Sequence, residues 1–185
     1  MPERELYEED YFTKTAYPGG YRDFSQHDAR FGALMYLAKP KSLLDVGCAY
    51  GYMVGRALAR GIHAVGMDIS VWCEKQANVT LPEGHFIRRD VEQGIPFNDK
   101  EFDCLYCEGV LEHIAEDKID FVLSEMARVA NKRVLAISFE GDARGHLCMH
   151  NAEWWKQRIP SKTWLYMGNC SSDVDPFNWY YKGRK

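Results

Sequence analysis

The chain has 185 residues, of which 46% are hydrophobic, and its formal net charge at pH 7 is −4. This length and apolar content predict one domain with a single core of sheet and helices. No run of Lys or Arg stands out, so the electrostatic footprint typical of nucleic-acid binders is missing. Composition and charge therefore disfavour nucleic acid as a partner.

The N-terminal residues are charged and lack an apolar core, and no stretch is apolar over the roughly eighteen residues that a membrane span requires. The six cysteines are scattered as reduced thiols would be in a cytosolic protein. We therefore expect a cytoplasmic protein without membrane contact. Cys104 and Cys107 form a C-x-x-C pair, but residues three apart on a strand point to opposite faces, which favours two buried thiols over a metal or redox pair.

Hydrophobic periodicity and turn residues predict an alternation of strands and helices. A polar and aromatic segment over residues 1–27 precedes a first helix, which begins near Asp28 and ends at Pro40. The elements that follow are a strand-turn-helix-strand unit over 42–70, strands at 86–91 and near 102–108, a helix at 117–130, a strand at 133–139, a short helix at 152–159, and aromatic strands at 163–167 and 178–182.

Small residues recur at every second position in the turn of the 42–70 unit, as Gly47, Ala49 and Gly51. They allow the backbone to approach a ligand, and the helix that follows presents free N–H groups. Asp68, at the end of the second strand, can accept hydrogen bonds from both hydroxyls of a ribose. The pattern predicts a nucleotide-type cofactor site but not a dinucleotide site, because Tyr52 stands where the third glycine would be. The alternative is an ordinary crossover with Asp68 in a solvated loop.

Four segments in order along the chain resemble those of class I S-adenosylmethionine (SAM) dependent methyltransferases, and one of them is residues 86–91, FIRRDV, a strand that ends in an acidic-apolar pair. Residues 45–51, DVGCAYG, resemble the motif D/E-x-G-x-G-x-G, with Ala49 in place of the usual middle glycine. Residues 95–103, IPFNDKEFD, resemble the approach to the family's fourth strand, LPF-x-D-x-x-FD. Residues 109–114, GVLEHI, are close to the VLEHI signature of the small-metabolite, type 11-like subfamily.

This resemblance implies a doubly wound, seven-stranded, Rossmann-like α/β sheet of order 3-2-1-4-5-7-6 with strand 7 antiparallel. It implies a single domain in which residues 1–41 cover the cofactor, 42–140 bind SAM and 141–185 form the acceptor side. S-adenosylhomocysteine would be the product. Asp90 and Val91 would lie against the adenine, and Tyr21 would fold over the cofactor. The full set of implied cofactor-binding residues is Tyr21, Asp45, Gly47, Cys48, Ala49, Gly51, Asp68, Ile69, Asp90, Val91 and Glu108.

The resemblance further implies methyl transfer to a small polar acceptor. O-methylation is slightly preferred because His113, His146 and His150 flank the expected acceptor site and a hydroxyl acceptor benefits from a general base. Structural roles for these histidines remain the alternative. N-methylation, a macromolecular acceptor, or a SAM-binding subunit that acts through a partner also stay open, as does a homodimer. Some relatives bind a divalent metal through Glu-x-x-Glu-His, but Gly109 replaces the first glutamate, so we expect no metal.

Overall fold

The computed structural model describes residues 6–17, 19–138, 145–167 and 179–183. Strands and helices alternate along most of this length. In chain order they are α1 (Ser25–Leu37), β1 (Ser42–Val46), α2 (Tyr52–Leu58), β2 (His63–Asp68), α3 (Val71–Thr80), β3 (Phe86–Arg88), β4 (Phe102–Glu108), α4 (Glu116–Val129), β5 (Ala130–Ile137), α5 (Ala152–Arg158), β6 (Thr163–Met167) and β7 (Tyr180–Lys182). A π-helical turn at Tyr11–Thr15 and 3₁₀ turns at Val91–Gln93 and Leu111–His113 complete them.

The seven strands form one sheet in the order β3-β2-β1-β4-β5-β6-β7. β7 pairs antiparallel with β6, and the other pairs are parallel. The predicted doubly wound, seven-stranded α/β sheet with an antiparallel last strand is thereby confirmed. Only the last two strands stand in the order 6-7 instead of 7-6. The connection that contains α5 returns the chain parallel to β5, which places β6 beside β5 and leaves the outer edge for β7.

Side chains of the central strands alternate between two apolar layers. Leu44 and Cys107 pack on one side of the sheet with residues of α4 and α5. Leu43 and Cys104 pack on the other side with residues of α1 and α2. Burial on both faces explains why these strands are almost continuously apolar in sequence. The two thiols of the C-x-x-C pair are buried on opposite faces, as predicted.

The helices follow the predicted apolar stripes closely. Ile119, Val122, Leu123 and Met126 of α4 are all buried, as the helical spacing of these residues indicates. α1 begins at Ser25, three residues before the predicted start, because the His27 side chain accepts a hydrogen bond from the backbone N–H of Phe24 at 3.2 Å. The apolar periodicity does not reveal this contact at the start of the helix.

The carboxyl ends of β1 and β4 meet at the point where the strand order reverses, which is where ligands bind in doubly wound sheets. Parts of the predicted elements, namely residues 139, 168–176 and 178, lie outside the described residues. Among the helices of the described ranges, none combines the length and the hydropathy needed to cross a membrane.

Candidate functional site

In the turn after β1, every second residue has a left-handed backbone conformation. Gly47, Ala49 and Gly51 have φ values of 77°, 47° and 79°, all in the left-handed region. A Cβ on Gly47 would lie 2.1 Å from Cγ2 of Val110, and one on Gly51 would lie 2.5 Å from Cδ1 of Leu81. The two glycines are therefore needed both for backbone conformation and for packing. Ala49 adopts the same conformation with a Cβ, at a cost of roughly 1–2 kcal/mol.

Asp68 fastens this turn from the end of β2. One carboxylate oxygen accepts the backbone N–H of Ala49 at 2.9 Å, and the other accepts that of Ser70 at 3.0 Å. Burial raises the pKa of Asp68, and these hydrogen bonds oppose the rise. A carboxylate offers about four lone-pair positions, so both oxygens can still accept from a ligand hydroxyl. The predicted ribose acceptor thus also supports the glycine turn.

Two further predicted carboxylates lie on neighbouring strands. Asp45 of β1 is buried, and burial raises its pKa well above the ordinary value, with the charges of Glu108 and Asp68 adding to the effect. Burial also raises the pKa of Glu108, which closes β4. Arg30 of α1 and the hydroxyl of Tyr106 both contact Glu108 and oppose that rise. A group of mutually repelling carboxylates favours a ligand that brings positive charge or hydroxyl donors.

The other predicted cofactor residues lie around the same edge. Asp90 follows β3, and its carboxylate accepts the N–H of Glu92 at 2.9 Å, which holds buried Val91 in its short turn. Ile69 lies between Asp68 and Ser70 in the loop after β2. Cys48 is buried, with Sγ 2.5 Å from the position of a Cβ on Gly66 and 3.8 Å from the carbonyl oxygen of Ala49.

Tyr21 belongs to an aromatic layer that the N-terminal residues place over the glycine turn. Its ring meets Tyr50 edge-on at 4.9 Å between centroids, and its backbone N–H donates to the carbonyl of Phe12 at 2.7 Å. Trp72 at the start of α3 donates its indole N–H to the hydroxyl of Tyr50 at 2.7 Å. This arrangement puts Tyr21 near the predicted cofactor position.

Two of the three predicted histidines come together. His113 lies in the 3₁₀ turn after β4, and its ring centroid is 4.6 Å from that of His146. His150 does not join them, because it pairs with Glu116 at 2.9 Å and stacks on Trp154 at 3.9 Å between centroids.

A metal ion could be held beside the histidine pair. Glu112, His113 and His146 each offer one ligand atom, and these atoms lie within 4.8 Å of one another. Glu112 is buried, and its Oε1 accepts the backbone N–H of Ser138 at 3.0 Å. In the motif Glu-x-x-Glu-His, position 109 would supply the first metal ligand, but it is a glycine here. In the structure the third candidate ligand is instead His146, which follows β5.

Sequence reasoning missed three residues that contact the predicted site. Tyr7 contacts His113 across 106 positions, Glu8 accepts the N–H of Trp72 across 64 positions, and Arg30 reaches Glu108 from α1. No motif surrounds any of the three. The only available signal was the density of aromatic and acidic residues before α1, which indicates a packed segment but no partner.

Comparison with known proteins agrees with this architecture. The model of the family described as "Methyltransferase domain" matches residues 44–137. A tRNA U34 carboxymethyltransferase of Nautilia profundicola is 38% identical over 80 residues, which are 40% of this chain and 26% of that protein. The chain therefore spans about a quarter of the length of this curated relative.

Two solved structures share the fold. A Bacillus halodurans protein has a TM-score of 0.54 and 22% identity, with 69% of this chain and 65% of that chain covered. A Pyrococcus horikoshii protein has a TM-score of 0.51 and 22% identity, with 66% and 58% covered. At this sequence identity, the two comparisons show a common fold and carry no conclusion about the reaction.

Proposed function

The chain belongs to the class I SAM-dependent methyltransferases, and from this premise we propose that it transfers a methyl group to a hydroxyl of a small polar acceptor. The observation that carries the proposal is the pair His113 and His146, 4.6 Å apart between ring centroids, just beyond the end of β4. The carboxyl edge of the sheet thus offers a donor end at the glycine turn and an acceptor end at the histidines.

The donor end fits SAM, the cofactor of this family. Its turn allows no side chain at Gly47 or Gly51, and Asp68 presents carboxylate oxygens at the tip of β2. The buried carboxyl of Asp45 beside Glu108 suits a ligand that carries an ammonium and a sulfonium. When bound, SAM supplies a methyl group that its sulfonium already activates toward nucleophiles.

The protein's own task is then to orient the acceptor, exclude water and remove a proton. As the acceptor oxygen forms its bond to the methyl carbon, its proton passes to an imidazole of the histidine pair. The electron pair of the broken sulfur–carbon bond stays on sulfur, which leaves the neutral thioether S-adenosylhomocysteine. We assign the proton to His113, whose ring is held by contacts to Tyr7 and Gly145.

A second candidate acceptor is tRNA. The curated relative is named for transfer of a carboxymethyl group to U34 of tRNA, and it shares 38% identity with this chain over 80 residues. Against this acceptor stands the net charge of −4, because proteins that bind nucleic acid usually neutralise phosphates with clustered Lys and Arg. We therefore place a small molecule first.

The deciding experiment incubates the protein with SAM labelled in its methyl group, in separate reactions with a pool of small hydroxylated metabolites, a pool of amines, and total tRNA. We expect S-adenosylhomocysteine and a labelled methyl ether from the first pool. Label in tRNA or on an amine would overturn the proposed acceptor. Tight SAM binding without product in any pool would indicate a non-catalytic SAM-binding subunit.

A matched pair of variants tests the assigned base. His113→Gln should lower kcat about a hundredfold while SAM affinity changes little, since general bases contribute roughly 10²–10⁴ in rate. His63→Gln serves as control, because His63 is exposed at the start of β2, the opposite edge of the sheet. Equal losses of kcat and SAM affinity in His113→Gln would favour a structural role for His113.

A further inference from the structure

The N-terminal residues 7–17 are attached to the loop that follows β2. The carboxylate of Glu8 accepts the backbone N–H of Val71 at 3.2 Å and that of Trp72 at 3.1 Å. These N–H groups belong to the first turn of α3 and have no partner inside the helix. A carboxylate at this end also interacts favourably with the helix dipole. Ser70 accepts the next N–H, from Cys73. Glu8 thus fixes the segment beside the loop that follows Asp68.

One residue before this anchor, the segment reaches the acceptor end of the site. The hydroxyl of Tyr7 lies 3.0 Å from Nδ1 of His113, and the two rings meet edge-on at 5.5 Å between centroids. The same Nδ1 lies 3.2 Å from the carbonyl oxygen of Gly145. On its other sides His113 is close to the ring of His146 and to the side chain of Glu112.

The two partners of Nδ1 select one form of the imidazole. A carbonyl oxygen only accepts hydrogen bonds, so the contact with Gly145 requires the proton on Nδ1, and the hydroxyl of Tyr7 then shares it as a second acceptor. In the neutral ring this leaves the lone pair on Nε2. This tautomer, with the lone pair on Nε2, is a form of His113 that can act as a general base.

The segment packs closely against the loop after β5 at position 145. Gly145 has φ of 93°, and a Cβ there would lie 2.7 Å from Cδ2 of Leu6 and 3.5 Å from the hydroxyl of Tyr7. Leu6 and Tyr7 therefore pack directly on the backbone whose carbonyl contacts His113. Segment, loop and imidazole form one packed unit.

We propose that Tyr7 is a positioning residue that holds the His113 imidazole in the tautomer with the proton on Nδ1, and that Glu8 anchors the segment that presents Tyr7. The expected change in kcat rests on the proposed function, whereas the expected tautomer of His113 does not. Tyr7 acts through His113 and makes no contact that the transfer itself requires.

The test uses Tyr7→Phe, which keeps the ring and removes only the hydroxyl. We expect the ¹⁵N NMR spectrum of His113 to show a larger share of the tautomer with the proton on Nε2. We expect kcat to fall about three- to tenfold, the size of one lost hydrogen bond, with the KM for SAM unchanged. Tyr17→Phe is the control, because its ring packs among Phe12, Tyr21 and Phe24 on the same part of the chain.

A His113 spectrum that is the same in wild type and Tyr7→Phe would overturn the proposal, whatever the activity. The variant Glu8→Gln provides an independent test that leaves the side chains of Tyr7 and His113 unchanged. It should shift the same tautomer signal in the same direction by loosening the segment, and no shift in this variant would overturn the anchoring role. A wild-type protein that forms no product would count against the proposed function alone, since the spectra still decide on Tyr7.

Discussion

Nε of Arg30 on α1 lies 2.8 Å from Oε1 of Glu108 at the end of β4. The two side chains are only 12% and 15% exposed. Tyr106 donates its hydroxyl to the other carboxylate oxygen. Burial raises the pKa of Glu108, and the guanidinium of Arg30 is the largest influence that opposes the rise. A single arginine from outside the sheet therefore favours the ionised form of a predicted cofactor residue.

Replacing this arginine should destabilise the fold. Arg30→Met leaves the Glu108 carboxylate buried without its cation, which typically costs about 3–5 kcal/mol in the free energy of unfolding. Urea unfolding at neutral pH measures the cost. Arg22→Met is the control, because Arg22 is exposed, and its replacement should stay within about 0.5 kcal/mol of wild type.

The same variant should respond to pH in a defined direction. Without Arg30 the pKa of Glu108 rises further, so between the unfolded and folded pKa values the folded state binds more protons than the unfolded state. Stability then falls as pH rises through this window, and the deficit of Arg30→Met shrinks as pH drops below the folded pKa. An equal deficit at about pH 5 and about pH 8 would contradict this account.

Asp68→Asn should weaken SAM binding and loosen the turn at the same time. The side-chain amide can replace only one of the two oxygens that accept the N–H groups of Ala49 and Ser70. We expect SAM to bind at least about tenfold more weakly by calorimetry and the free energy of unfolding to fall by about 1–3 kcal/mol. Asp120→Asn, at an exposed site on α4, should change neither quantity. Unchanged SAM affinity in Asp68→Asn would count heavily against the assigned ribose contact.

Gly47→Ala tests whether the turn needs glycine for packing as well as for conformation. A left-handed alanine costs about 1–2 kcal/mol, and the overlap with Val110 adds to it, so we expect a total loss of about 2–4 kcal/mol. Gly32→Ala in α1 is the matched control. It meets nothing within 4 Å, and helix propensity should make it stabilising by about 0.5–1 kcal/mol. Similar unfolding midpoints in the two variants would show that the turn tolerates a side chain.

The sequence indicates the proposed donor end because part of it is close together along the chain. The glycine turn and Asp68 belong to one βαβ unit, so their spacing indicated them, whereas Asp90 and Glu108 followed from the family resemblance. The contacts of Tyr7, Glu8 and Arg30 could not be predicted in this way. They join residues far apart in sequence through side-chain packing, which no local pattern records. The order of the last two strands likewise depended on which edge remained free.

Removing metal ions should leave methyl transfer unchanged. The proposed reaction uses the imidazole of His113 to accept a proton, and a bound ion would occupy the lone pair that this step requires. Glu112, the carboxylate of the grouping with His113 and His146, has a structural task. Its side chain accepts the N–H of Ser138, and its backbone carbonyl accepts those of Leu147 and Cys148, which joins the loop after β5 to the end of β4.

We therefore expect the same kcat before and after dialysis against EDTA, with EDTA already saturated with Mg²⁺ as the control for the chelator itself. Loss of turnover that added Mg²⁺ or Zn²⁺ restores would contradict this expectation. In that case His113 and His146 would act as metal ligands, and the metal ion would take over the task of lowering the pKa of the acceptor hydroxyl. Metal content measured on the purified protein, before and after dialysis, separates that outcome from simple instability.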